Sequence, residues 1–250
     1  MRSDRHRGKR GVTLLELLIV ISLLSLLTVG MAMTIRIGLN TLDRTSTRLN
    51  ENRRTVGAQR VLDQQLAGLI PVRFSCAGGA GRQALFFDGT PDSMRLVSSY
   101  TLEEAARGFP RILEYAVTAN PQGAGVRLVV NEYHYTGPGS LMPLCAGPGT
   151  NPTTGGLLLR PAVPTPASFV LADKLALCRL SYLATDRRLR TRAWLPTPMR
   201  GLLPEAVRFE MVPLEPDPAR IQMATMTVPV RVSRNPDLTY DDIDPVRVVQ

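Results

Sequence analysis

Histidine is nearly missing from this chain: two occur in 250 residues, with three cysteines and one tryptophan. Cys76, Cys145 and Cys178 stand far apart with no histidine at ligand spacing, so nothing here has the paired-ligand pattern of a zinc site. Gly78-Gly79 and Gly155-Gly156 are followed by neither a helix signal nor a Lys-Ser/Thr pair, so no phosphate-cradling loop is present and no cofactor is expected. Charge is missing from a whole stretch. Among the 24 residues from Val12 to Ile35 the only charge is Glu16. Proline is absent before Pro71, so nothing of that kind breaks a helix over the first 70 residues.

What fills the uncharged stretch is an apolar run, GVTLLELLIVISLLSLLTVGMAMTI from Gly11 to Ile35, in which 14 residues are Leu, Ile or Val. Hydrocarbon about 30 Å thick is crossed by roughly 20 apolar helical residues, so the run is long enough to span. At about −0.3 to −0.6 kcal/mol each, the 14 side chains supply about −4 to −8 kcal/mol of insertion free energy. That outweighs the cost of one carboxylate near the interface, and an ionisable group kept inside such a run is a functional candidate. Residues 1–11 carry Arg2, Arg5, Arg7, Lys9 and Arg10 against Asp4, which holds this leader on the cytoplasmic side and sends the rest across.

Lys9, Arg10 and Gly11, then Val12-Thr13-Leu14-Leu15-Glu16 and the apolar run, resemble the prepilin signal of the type IV pilin superfamily. The resemblance implies that a membrane peptidase cuts between Gly11 and Val12 and methylates the new amine of Val12. It also implies that Glu16, the fifth mature residue, is needed for filament assembly. The family's usual first mature residue is Phe, and here it is Val12. Physically, a helix start attracts negative charge. In a staggered array Glu16 would meet the Val12 amine of a neighbour, which removes the penalty of an isolated carboxylate. A plain signal anchor with a protonated Glu16 is the alternative. A secretory signal ending at Thr28-Val29-Gly30 fits less well, because the run continues to Ile35.

The formal net charge of +9 falls to +5 without the leader, and the remaining basic side chains are nearly all arginines scattered along the chain. Scattered charge is solvated surface, so no nucleic-acid partner is expected. An odd number of cysteines in an oxidising compartment allows one bridge. Cys76 and Cys145 sit in Gly/Ala/Pro loops and are the candidate pair; Cys178 sits in an apparent strand.

Residues 1–11 therefore read as the leader and 12–35 as the transmembrane half of a helix. Residues 36–70 read as its amphipathic half, with Leu42, Leu49 and Val56 seven apart and Val61, Leu62, Leu66 and Leu69 at helical spacing. A helix over 12–69 is about 87 Å long. Residues 71–234 read as a β-rich head. Its predicted strands are Gln83–Phe87, Met94–Tyr100, Arg111–Val117, Val126–Tyr135, Ser168–Ala172, Ala176–Leu183, Thr191–Leu195, Glu205–Val212 and Ile221–Val232. Thr101–Arg107 reads as a short helix or a turn. The Gly/Pro-rich stretch 136–167 is too long for an ordinary connection and is either a functional loop or a mobile one. Residues 235–250 read as a flexible acidic tail. The fold class is α+β: a long N-terminal helix packed on an antiparallel sheet.

The body carries a broader resemblance. Arg60 to Leu66, Leu113–Tyr115, Leu180-Ser181-Tyr182, Arg192-Ala193-Trp194 and Leu203-Pro204-Glu205-Ala206-Val207 follow an order similar to the minor pseudopilin J family of type II secretion. The implied function is a minor pseudopilin assembled near a pseudopilus tip in the inner membrane with its head in the periplasm. The implied partners are other minor and major pseudopilins or pilins and the prepilin peptidase. A minor pilin of a type IV pilus and a signal-anchored periplasmic enzyme or receptor are the alternatives. No catalytic constellation stands out, and no enzymatic activity is expected. Glu103-Glu104 reads as a solvated pair, His134 as a surface or half-buried side chain, and Asp241, Asp242 and Asp244 match no calcium-loop spacing.

Overall fold

The computed structural model describes residues 13–77, 83–152, 156–186, 191–217 and 221–232. The chain divides into two compact units, Met1–Glu51 and Asn52–Gln250. One helix, α1, runs through Leu14–Ala67. Its last turns, from Asn52 on, belong to the second unit, the head.

The helix ends two residues earlier than the predicted Leu69. The reason lies in Gly68. Its N–H still bonds the Gln64 carbonyl at 2.9 Å, but its own carbonyl accepts the Ser99 N–H at 2.8 Å. A Cβ at Gly68 would stand 2.9 Å from the Ser98 hydroxyl, so only glycine lets the helix end touch the sheet this closely. Leu69–Ile70 then leaves as a short strand, β1.

The remaining strands are β2 (Arg73–Phe74), β3 (Ala84–Leu85), β4 (Asp88–Gly89), β5 (Ser93–Thr101), β6 (Ala106–Ala119) and β7 (Val126–His134). They continue with β8 (Cys145–Thr150), β9 (Leu157–Leu159), β10 (Phe169–Asp186), β11 (Thr191–Leu195), β12 (Ala206–Pro213) and β13 (Met226–Pro229). The main sheet is ordered β1-β5-β6-β7-β10-β12-β13, with β4 on β5 and β11 on β10. Every pairing is antiparallel. Two small ribbons, β2–β3 and β8–β9, stand apart from it.

Several predicted elements change shape. Gln83–Phe87 is not one strand: Ala84–Leu85 pairs with β2, and Asp88–Gly89 pairs with β5. Ser168–Ala172 and Ala176–Leu183 are one strand, β10, whose register shifts between Val170 and Leu175 where Lys174 takes a left-handed φ of 53°. Thr101–Arg107 takes in the end of β5, the tight turn at residues 102–105 and the start of β6. The last strand shrinks to Met226–Pro229 at the sheet edge, where Pro229 needs no ladder donor.

Successive residues on a strand face opposite ways, and here both faces are covered. On one face Ala58, Leu62 and Leu66 of α1 pack with Met94, Leu96, Leu113, Tyr115, Leu128, Val130, Leu180, Val207 and Phe209. On the other, Val97 and Ile112 pack with Val72, Phe74, Phe86, Leu141, Leu157 and the two cysteines Cys76 and Cys145. The Gly/Pro-rich stretch supplies much of that second cover, through a 3-10 turn at Pro138–Leu144 and the β8–β9 ribbon. Cys76 and Cys145 are bonded to each other, with Cα atoms 5.7 Å apart and a sequence separation of 69. The turn between β4 and β5 is held from β10: the Tyr182 hydroxyl donates to the carbonyls of Thr90 and Ser93 at 3.0 and 3.1 Å. A Cβ at Gly89 would lie 2.3 Å from the Tyr182 ring, so glycine is required there.

Closing a loop of this length with a disulfide stabilises a fold by about 4 kcal/mol in the chain-entropy view. Reduction, or the pair Cys76→Ser with Cys145→Ser, is expected to lower the thermal midpoint of the detergent-solubilised chain by several degrees. Circular dichroism melts with and without reductant check this; an unchanged midpoint contradicts it.

Candidate functional site

The segment best set apart for interaction is the first half of α1. Leu14–Leu42 has a mean hydropathy of 2.4, long and apolar enough to cross a membrane. Every one of its side chains is exposed, Leu14 at 81% and Leu26 at 76%. Such a surface needs lipid or other helices around it. Within the segment no hydroxyl is left unpaired: Ser22, Ser25, Thr28, Thr34 and Thr41 each donate to a carbonyl one turn back at 2.8–2.9 Å. A helix satisfies its own backbone as well, so the segment asks nothing of water. The exceptions are Glu16, in the first turn, and Arg36 and Asn40 toward the far end, all exposed.

The start of α1 is capped. Thr13 accepts the Leu17 N–H on its carbonyl at 3.2 Å and the Glu16 N–H on Oγ1 at 3.3 Å. Gly11 and Val12, the residues of the expected cut, lie outside the described residues. Further along, Leu42, Leu49 and Val56 are 67%, 53% and 50% exposed, and burial begins only at Ala58. The seven-residue stripe therefore does not serve the head's own core.

The head's charged and polar groups are tied to one another. Gln65 on α1 is fully buried; it accepts the Tyr115 hydroxyl at 2.5 Å and donates to Glu132 at 2.9 Å. Glu132 also accepts the Leu102 N–H at 2.9 and 3.1 Å, which fixes the β5–β6 turn. Burial, and then the Glu132 carboxylate, push the Tyr115 phenol well above its ordinary range. On the opposite face Arg95, Glu114 and Asn131 are cross-strand neighbours in one row. Arg95 donates to Glu114 at 2.6 Å and also to the carbonyl of Arg160. Asn131 donates to the carbonyl of Val163 at 2.9 Å and accepts the Ser168 hydroxyl. This row pins the back of the Gly/Pro-rich cover to the sheet. Sequence reasoning missed it, because Arg95 and Glu114 stand at the polar positions of alternating strands; the signal was Val97 and Ile112, apolar on the same face.

Other candidate chemistry is likewise engaged. Arg111, buried, reaches Glu103 at 2.8 Å and His134 Nε2 at 2.7 Å, so His134 is occupied by a guanidinium rather than free to act as a base. A cavity of about 640 Å³ is lined by Arg73, Ser75, Asp88, Thr150, Met199 and Arg200 among others. Asp88 is its one described carboxylate and lies 3.8 Å from Arg95. Burial raises the Asp88 carboxyl, against the pull of Arg95 and of the Gly89 N–H. Trp194 is stacked under Arg208 at 3.9 Å, while Pro204 and Val207 are buried at the start of β12. Among the described residues no group of three or more His, Cys, Asp or Glu is placed to share a metal ion. Asp241, Asp242 and Asp244 lie outside them.

Residues 6–32 match the family model described as a prokaryotic N-terminal methylation motif. The chain carries a type IV pilin-like prepilin signal. The match straddles the start of α1 and takes in Glu16, so the motif and the exposed apolar helix coincide. No curated protein and no solved structure matches the chain. That motif supports a pilin-like or pseudopilin-like protein and points to a structural role. The motif implies a prepilin peptidase substrate that assembles with other pilin-like subunits, and the apolar helix is consistent with membrane anchoring.

Cys178 gives a direct check on the head's core. It is free and buried, and burial, with Asp92 nearby, pushes its thiol from 9.0 up to about 12. An unfolded chain loses this proton first, so the thiol's contribution to stability is present below about pH 9 and is lost as pH rises toward 12. Native protein is expected to resist maleimide labelling at Cys178 at neutral pH and to react once denatured. Rapid labelling of the native chain contradicts that placement.

Proposed function

We propose that this chain is a minor pseudopilin of a type II secretion-like system. Prepilin peptidase cuts it between Gly11 and Val12 and methylates the Val12 amine. The mature chain then enters a pseudopilus near its tip through the N-terminal helix. The head stands on the periplasmic side of the inner membrane, as the basic leader directs. The observation that carries this reading is the coincidence of the methylation motif at residues 6–32 with Glu16 in the first turn of a wholly exposed apolar helix. A plain anchor needs neither Gly11 nor Glu16. The order of sequence motifs in the body, which resembles that of minor pseudopilin J, is the support for secretion, and a minor pilin of a type IV pilus is the alternative reading.

Glu16 has a definite part in this reading. A lone carboxylate in lipid is unfavourable by a few kcal/mol, less near the interface. A neighbour's Val12 amine at the same depth neutralises it, and the pair favours one axial stagger between helices. The disulfide belongs to the same picture, since such bonds persist on the oxidising side of the membrane.

Sequencing the mature protein from its N-terminus tests the proposal, with Val12 as the expected first residue. Gly11→Leu is expected to abolish the loss of the 11-residue leader in cells that hold the peptidase. A mature chain that begins at Met1 or beyond residue 28 overturns the reading. Glu16→Ala is expected to leave cleavage intact and to reduce co-purification with the other pseudopilins several-fold. Unchanged co-purification refutes the pairing of Glu16 with an amine.

A further inference from the structure

Arg73 and Arg200 stand apart from the paired groups described above. Both are exposed, and neither makes an ion pair among the described residues. They come from separate elements, Arg73 from β2 and Arg200 from the turn at residues 199–202, yet both line the cavity of about 640 Å³. That turn is fixed: the Leu202 N–H donates to the Met199 carbonyl at 3.1 Å, and Gly201 takes a left-handed φ of 72°. The rest of the lining comes from β3, β8 and β9 and their flanks, with Phe87, Leu157, Met199 and Leu203 as its apolar part. The Cys76–Cys145 bond ties the chain just past β2 to the start of β8, so the two ribbons that line the cavity are covalently joined. A cavity held in this way is formed before any ligand arrives, and its volume is in the range of ligand sites.

Charge decides what the cavity takes. Asp88 is the one carboxylate among its described lining residues, and it is buried. Arg95 lies 3.8 Å from Asp88 but is bonded more closely, at 2.6 Å, to Glu114. Arg73, Arg95 and Arg200 set against Asp88 and Glu114 leave a surplus of positive charge. Both lining arginines are exposed while Asp88 is buried, so an entering cation would meet two like charges before it reached the carboxyl. Burial also favours the neutral form of that carboxyl, which makes it a poor cation ligand. An anion meets the guanidiniums first, and each presents the planar fork that fits a carboxylate. We propose that this cavity is a binding site for a carboxylate carried on an organic skeleton, with Arg73 and Arg200 as its clamp and Met199 and Leu203 beside the skeleton. The site is made of described residues alone. It stands apart from the pseudopilin reading, since neither the cut after Gly11 nor the role of Glu16 bears on it.

The test is isothermal titration calorimetry on the full-length chain in detergent at low salt, where such pairing is least screened. The probes are a short glutamate-rich peptide, its glutamine and lysine counterparts, succinate and inorganic phosphate. The glutamate peptide or succinate is expected to bind, and the tighter of the two identifies the carboxylate as protein-borne or free. The glutamine and lysine peptides are expected not to bind. Arg73→Gln and Arg200→Gln are each expected to weaken binding about fivefold, the upper end for an exposed ion pair. Asp88→Asn removes an opposing charge and is expected to tighten binding about threefold. Circular dichroism melts establish that each variant is folded, and the arginine variants and the probe series suffice where Asp88→Asn is not. Failure of both carboxylates to bind overturns the proposal, as does binding of the lysine peptide or a preference for phosphate over both. Parent-like affinity in the two arginine variants overturns it too. So does weaker binding by a folded Asp88→Asn chain, because Asp88 would then be holding the ligand itself.

Discussion

One helix has to satisfy two environments, and most of the molecule is shaped by that. From Leu14 to Leu42 every side chain of α1 is exposed, and the hydroxyls in between are bonded back onto the helix itself. From Ala58 the same helix buries one face, and Leu62 and Leu66 lose all exposure to the sheet. Replacing either of these two with alanine removes about 2–5 kcal/mol, a large share of a domain's net stability. The first half leaves an apolar surface long enough to cross a membrane, and the second is covered by its own head.

The head solves a second problem, a sheet with two faces to cover and one helix to cover them. The far face is closed by segments with poor propensity for regular structure. They are held by three devices: the Cys76–Cys145 bond, the packing of Leu141 and Leu157 on Val97 and Ile112, and the Arg95–Glu114–Asn131 row. A buried ion pair is a weak source of net stability, since desolvation offsets most of the Coulombic gain. Its effect here is positional. Arg95 and Asn131 reach the carbonyls of Arg160 and Val163, so a chain segment without ladder bonds has one place to lie.

The same economy explains why the head's chemistry is quiet. His134, Glu103, Glu132 and Tyr115 each sit in a bonded pair or network, and Cys178 is kept neutral in the core. Groups of this kind hold turns and strands rather than facing a substrate. The interaction capacity lies instead on the helix surface, where the prepilin signal and the exposed apolar side chains coincide. Those polar groups of the head are engaged within the head, while the helix surface remains to be covered.

The N-terminal part was legible because its physics is one-dimensional. An uncharged run, one carboxylate and a glycine behind basic residues have their meaning along the chain, with no need of distant partners. Alternation likewise announced β12, where Val207, Phe209 and Met211 are buried and Glu210 is exposed. The ends and joins were decided elsewhere. Gly68 ends the helix because Ser98 and Ser99 stand against it, and those residues are some 30 positions away. Two predicted strands are one in β10 because β7 and β12 pair with successive parts of it across a bulge. The Gly/Pro-rich stretch acquires its place from Arg95 and Asn131, which look like surface residues until the cover lies over them. Local pattern determines which segments are apolar and how they repeat; only the assembled sheet determines which polar groups become buried, because that depends on what comes to rest on top of them.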